Sequence, residues 1–457
     1  MSGYIKNIIP CDMGLKELGA DRQRKPDSFQ PSAHYITPDS LSGIIFALEG
    51  VSGSAVLLNG PTGCKFYHSA TSDYQMIRQL EFDPLNYPEQ WYFGQPRVPC
   101  TYLDSSDYIY GSREKLIEAL NYIKNNVRHD LLAIVNSPGA ALIGDDLVGI
   151  AHSVLGEKTV ITIETPGFSS DVCSGFESGT LALLHTLKPP KLEPRPKTVN
   201  LLGMSIYQKY YAGNLIELRR LLKLCGITVN CALCAGASVE GIKKISSAAL
   251  NIAVCPEYGF IAAEYLKKLY GTPYYVCDGP PIGFSATEAF VRDICDALGG
   301  DSMPVIEDSE RARADAYVHI SRVNSLVGLP KGARVSAEGT YSDLYAYFKF
   351  FTEYLGMLPE AAAVVCPRAD FSKLKLESLM RSYGLDDVPA RDIYEAQNEL
   401  VFASGATIAK LRNAGRRFVG IENALPSLGY LDVIPKTHYG VKGALLLVEQ
   451  VLNGLLL

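Results

Sequence analysis

A chain of 457 residues with 47% hydrophobic and 20% charged side chains, 27 tyrosines and 16 phenylalanines has the make-up of a folded protein of about three domains at roughly 150 residues each, which excludes bulk disorder and a small stapled module. Its 43 basic and 49 acidic side chains leave a net charge of -6, so no basic field favours nucleic acid and no Lys/Arg block suits a membrane surface. With no apolar signal segment at the start and no run of about 18 uncharged apolar residues, the expectation is a cytosolic protein.

Short apolar runs rich in Val, Ile and Leu predict buried strands at 55–58, 131–135, 159–163, 198–202, 227–232, 251–254, 274–277, 362–366, 400–403 and 417–421. Helical periodicity predicts helices over 112–125, 215–224, 259–269, 340–355 and 440–452. Strand and helix alternate, the signature of parallel sheets in α/β domains. The stretch Leu187-Lys-Pro-Pro-Lys-Leu-Glu-Pro-Arg-Pro196 suits neither a helix nor a central strand and reads as a linker. A second division falls near Leu329-Pro330-Lys331-Gly332, before the strand-helix unit 333–355. Three Rossmann-like domains are expected, at 1–190, 191–330 and 331–457, with ligands at the carboxyl ends of the strands in a central crevice.

In chain order, the first loaded turn is Leu58-Asn59-Gly60-Pro61-Thr62-Gly63-Cys64, where a strand end with two glycines delivers a cysteine. A thiolate there suits a soft metal or an iron-sulfur cluster, the plain alternative being an inert turn cysteine. No Gly-Lys-Ser/Thr ending follows, so a nucleotide P-loop is disfavoured. The aromatic stretch 87–93, with Trp91, reads as a docking loop or as an ordinary packed connection before Cys100. Asp145 and Asp146 at a helix start read as a cap and a first-turn charge. Cys231-Ala-Leu-Cys234 has metal-like spacing, but no second pair completes a zinc site, so core thiols are expected.

Taken together, "LSGIIFALEGVSGSAVLLNGPTGC", "YLDSSDYIYGSREKL", "NSPGAALIGDDL", "ETPGFSSD", "LNIAVCPEYGFIAAEYLKKLYGTPY" and "HYGVKGALLLVEQVLN" resemble, in this order, the nitrogenase component 1 family. That family holds the nitrogenase α and β chains, cofactor-assembly homologues, and reductases of tetrapyrroles and small sulfur compounds. The resemblance implies three Rossmann-like domains and pairing with a homologous component 1 chain, identical or different, in an oligomer such as a tetramer. It also implies an interfacial iron-sulfur cluster, [4Fe-4S] or larger, and electrons from an ATP-dependent iron protein.

Cys64 falls on the family's Gly-Cys ligand position, whereas Asp39 and Pro138 stand where the nitrogenase chains carry two further cysteines. That pattern suits a smaller cluster completed by the partner, with Cys100, and less readily Cys11, as supplementary thiols. Cys255 falls where the α chain attaches its catalytic metal cofactor, which implies a second, complex metal cluster. His438 is displaced by one residue from the histidine that ligates the same cofactor, and is a candidate for pocket contact or acid-base work. The leading expectation is an oxidoreductase subunit that reduces a substrate at a crevice metal centre. The alternatives are a non-catalytic scaffold for assembling such a cofactor and an α/β small-molecule binding protein without clusters.

Overall fold

The computed structural model describes residues 38–64, 98–167, 170–425, 427 and 432–456. Three parallel sheets, each built from one continuous stretch of chain, carry helices on their faces. The first runs through α1 (Ser40–Glu49), β1 (Ser54–Asn59), α2 (Asp107–Tyr110), α3 (Arg113–Asn126), β2 (Leu131–Asn136), α4 (Pro138–Ala141), α5 (Leu147–Leu155), β3 (Val160–Ile163) and α6 (Val172–Leu187), with strand order β1-β2-β3. Strand alternation divides its core. Leu57, Leu132 and Ile134 pack with Leu116, Leu120 and Ile150 of α3 and α5, while Val56, Leu58, Ala133 and Val135 join Ile44, Leu48 and Phe176 of α1 and α6.

Helices α1 and α6 approach so closely that a Cβ on Gly43 would lie 2.0 Å from the Val172 carbonyl oxygen and one on Gly175 would lie 1.8 Å from that of Ser40. Their first turns are capped by neighbouring aspartates. Asp39 accepts from Ser42 N–H at 2.9 Å and Asp171 from Ser174 N–H at 2.8 Å.

The second sheet, ordered β5-β4-β6-β7, takes in β4 (Arg195–Leu202), α7 (Tyr211–Leu224), β5 (Thr228–Ala232), α8 (Val239–Lys243), β6 (Ala248–Ala253), α9 (Pro256–Tyr270), β7 (Tyr274–Val276), α10 (Phe284–Leu298) and α11 (Met303–Val327). The third, ordered β11-β10-β8-β9, takes in β8 (Arg334–Gly339), α12 (Tyr341–Glu353), β9 (Leu358–Val364), α13 (Asp370–Ser382), β10 (Leu400–Ser404), α14 (Gly405–Asn413), β11 (Val419–Ala424) and α15 (Gly440–Leu456). Helix α15 touches β10 and β11 of its own sheet and also packs on α7, α10 and α11 of the second.

The expected α/β class with three parallel sheets is what the structure shows. Two features stand out among those not expected. Helix α11, 25 residues long, buries only Val305, Ile306, Ser309, Ala312 and Ala316, too sparse a stripe to stand out as a periodic pattern. Cys173 on α6 and Cys366 after β9 form a disulfide across a sequence separation of 193, a distance over which spacing carries no pairing signal. No described helix is long and apolar enough to cross a membrane.

Candidate functional site

Strand β1 ends in Asn59, and the next five residues turn Cys64 outward from the carboxyl end of the first sheet. Buried Asn59 donates to Ser112 Oγ at 3.0 Å and to Asn136 Oδ1 at 2.9 Å, and accepts from Thr101 Oγ1 at 2.8 Å. Thr101 in turn accepts from Gly60 N–H at 3.0 Å. Gly60 leaves no room for a side chain, since a Cβ there would lie 2.7 Å from Ser137 Oγ. The loop is thereby pinned to the ends of β1 and β2.

Cys64 is half-buried, its N–H closing a turn onto the Pro61 carbonyl at 3.1 Å. Burial pushes its thiol pKa upward, the Ser137 hydroxyl opposes this by donating to the sulfur, and the nearby Asp39 carboxylate raises it further. Ser137 caps α4 by accepting from Ala140 N–H at 3.3 Å, with Pro138 at the first helical position, where a missing N–H costs nothing. Tyr108 lies against Gly139, its hydroxyl 3.0 Å from where a Cβ would stand. Beyond it the surface is apolar, with Ile109 74%, Tyr110 87% and Leu142 79% exposed.

Thus Cys64 lies close enough to Asp39 to feel its charge and is joined to the residue before Pro138, Ser137, whose part spacing did not reveal. Cys100 runs beside β1, its backbone bridged to Leu58, and its side chain is enclosed in the core. Asp146 caps α5 at 2.8 Å through Gly149 N–H, whereas Asp145 reaches across to Ser112, accepting from its N–H at 2.6 Å and its hydroxyl at 2.7 Å. Cys231 and Cys234 are both buried. Cys11 and the aromatic stretch 87–93 lie outside the described residues.

Cys255 and His438 lie elsewhere, beside the crevice between the second and third sheets. Cys255 precedes Pro256 at the start of α9 and is fully buried; its thiol donates to Glu257 Oε2 at 3.3 Å and meets Ser342 Oγ at 3.5 Å. Burial and the Glu257 carboxylate hold that thiol well above its ordinary pKa. Glu257 clamps the start of α12, accepting from Ser342 N–H at 2.9 Å and its hydroxyl at 2.6 Å. His438 contacts Gln450 Oε1 at 2.9 Å through Nε2 and the Tyr347 hydroxyl at 2.6 Å through Nδ1. As the amide oxygen only accepts, Nε2 carries the proton and Tyr347 donates to Nδ1. Burial depresses the His438 pKa to about 3, so the ring is neutral. The cavity between these groups measures about 40 Å³ and is lined by His438, Asp343, Glu338 and five tyrosines, among others.

The sequence model for nitrogenase component 1 type oxidoreductases matches residues 40–456. The chain belongs to that family. Within it, the chain is 31% identical over 272 residues to the B-type subunit of the light-independent protochlorophyllide reductase of Heliobacterium modesticaldum, covering 58% of this chain and 48% of that one. It is 29% identical over 222 residues to the corresponding subunit of Methylobacterium radiotolerans, covering 47% and 41%. The chain therefore spans less than half the length of these two relatives. Its similarity to the nitrogenase molybdenum-iron protein beta chain of Methanococcus maripaludis is 23% over 464 residues, covering 91% and 92%. Among solved structures, nitrogenase Cp1 at pH 6.5 superposes with a TM-score of 0.71 at 19% identity, covering 92% of each chain, a likeness of fold.

For a nitrogenase component 1 chain, the two candidate metal positions differ in what they accept. Cys64 offers a soft sulfur near the surface, with a carboxylate close by and a hydroxyl donor on the sulfur, which fits one ligand of an iron-sulfur cluster. The crevice does not fit a multinuclear metal cofactor. About 40 Å³ holds roughly three waters at 10–15 Å³ each, and Cys255 and both His438 nitrogens are engaged by protein groups.

Proposed function

We propose that this chain is a β-type subunit of a nitrogenase-like reductase. With a homologous component 1 chain it holds an iron-sulfur cluster, four-iron or larger, at their shared face, and it serves a low-potential reduction fed by a separate ATP-dependent iron protein. The observation that carries this reading is Cys64: a half-buried thiol at the carboxyl end of β1, next to Asp39 and rimmed by exposed Ile109, Tyr110 and Leu142. One thiolate and one carboxylate do not complete a four-iron cluster, so the remaining ligands come from the partner. The apolar rim is the kind of surface that a partner chain covers.

When bound, the cluster supplies one-electron transfer. This chain's residues fix the sulfur and manage its proton. Ser137 donates to the sulfur and favours the thiolate, the form that binds metal, while the Asn59-Thr101 network holds the turn. Since the crevice accepts no metal cluster, we assign substrate reduction to the complex outside this crevice.

The test is anaerobic purification of the chain with its partner. Cys64→Ala should strip the iron-sulfur absorbance and paramagnetic signal, whereas Cys255→Ser should retain both. Unchanged iron and sulfide in Cys64→Ala would overturn the proposal, and cluster transfer to an acceptor without product formation would favour the scaffold alternative.

A further inference from the structure

The crevice that has no room for a metal cluster has an unusual lining. Asp343 stands in the first turn of α12, where its Oδ2 accepts from the Thr340 hydroxyl at 2.9 Å and the Thr340 N–H at 3.3 Å in a capping box. Its other oxygen takes no hydrogen bond among the described residues, and the residue lines the cavity. Tyr207, Tyr258, Tyr347 and Tyr439 surround it closely enough for its charge to raise the pKa of every one of these phenols.

A second carboxylate, Glu338, lines the same cavity. So do Gln208, whose amide nitrogen and oxygen are both buried without a partner among the described residues, and Asn423, whose Oδ1 is likewise unpartnered there. Among the described residues, none that lines the cavity is cationic. His438 is neutral, and the nearby Lys209 is held by Glu422 at 2.8 Å and Asp432 at 3.1 Å. A half-buried carboxylate with no counter-charge among the described residues is unfavourable, and phenol rings present negative faces.

We propose that this cavity binds a small ammonium-type cation of about methylammonium size, held between the Asp343 carboxylate and the tyrosine rings, with the Gln208 and Asn423 amides as further polar contacts. The cavity of about 40 Å³, room for roughly three waters, limits the ligand to a few heavy atoms. Glu257 and Cys255 from the start of α9 and the four tyrosines lie close enough to Asp343 to interact with its charge, and Glu338 from β8 lines the same cavity. Burial first, and Glu257 second, push its pKa up to about 7. The binding form is the carboxylate, so affinity rises with pH up to and somewhat beyond that value, while an alkylammonium stays charged throughout.

The full-length chain is titrated calorimetrically with methylammonium chloride, and in parallel with methanol, its neutral near-isostere, and with sodium chloride. Saturable binding of methylammonium alone is expected, about tenfold tighter near pH 8 than near pH 6, as the ionised fraction of a group titrating near 7 dictates. Asp343→Asn should weaken it at least about tenfold and remove the pH dependence, whereas Tyr347→Phe, which keeps the ring, should stay within about threefold. Absence of saturable methylammonium binding, equal binding of methanol, or unchanged affinity in Asp343→Asn would overturn the proposal. Should Asp343→Asn fail to fold, the contrast between methylammonium and methanol on the unsubstituted chain decides. Both outcomes are independent of any cluster at Cys64.

Discussion

Glu177 shows how a single buried side chain sets a pH response. It lies 5% exposed on α6, accepting from Ile261 N–H of α9 at 3.3 Å and from Arg368 at 3.2 Å, and burial pushes its pKa up to about 7. Between the unfolded value near 4.5 and about 7, the folded chain binds the proton and the unfolded chain does not, so this group's contribution to stability falls as pH rises through that window. His438 works in the opposite sense. Its pKa of about 3 in the fold, against 6.5 unperturbed, makes its contribution fall as pH drops from about 6.5 to 3. Glu177→Gln should therefore gain on the parent by about 2 kcal/mol between pH 5 and pH 8 in urea denaturation; a difference independent of pH would refute this. The place of Cys64 in a turn after β1 was legible from Gly60 and Gly63 because that signal is local. Ser137 and Asp343 were not, because each acquires its role from groups far away in the chain.

At the scale of elements, the close approach of α1 and α6 depends on glycines. A Cβ at Gly175 would meet a backbone oxygen at 1.8 Å, which no rotamer change relieves. Gly175→Ala should cost about 3 kcal/mol or more, whereas Gly226→Ala, at a φ of +74° with nothing within 4 Å, should cost only about 1 kcal/mol of backbone strain. Thermal denaturation of the two variants compares them directly, and similar losses would show that the helix pair yields. The strands were readable because runs such as Leu131-Leu-Ala-Ile-Val135 are buried on both faces. Helix α11 was not, because Tyr317, Val318, Leu326 and Val327 are exposed and blur its apolar stripe. In α1 and α6 the serines and glycines that allow close approach also weaken the helical signal.

Over the whole molecule, the Cys173–Cys366 bond ties the first sheet's last helix to the third sheet, beside ion pairs from Arg368 to Asp171 at 3.3 Å and Glu177 at 3.2 Å. Closing a loop of this length limits the unfolded chain by about 5 kcal/mol in the chain-entropy estimate. Cys366→Ser should lower the urea midpoint of oxidised protein and leave that of reduced protein nearly unchanged; equal midpoints for parent and variant under oxidising conditions would show that the link does not form. The three-sheet plan was legible because each sheet is a continuous stretch, but the crevice chemistry was not, since it exists only where separate stretches meet. Helix α15 adds a constraint of another kind, one of time. It touches α7, α10 and α11 of the second sheet yet is synthesised only after the entire third sheet, so those helices leave the ribosome with part of their apolar surface still uncovered. Domains usually fold as units during translation; here the middle third completes its packing only when this last helix has been made.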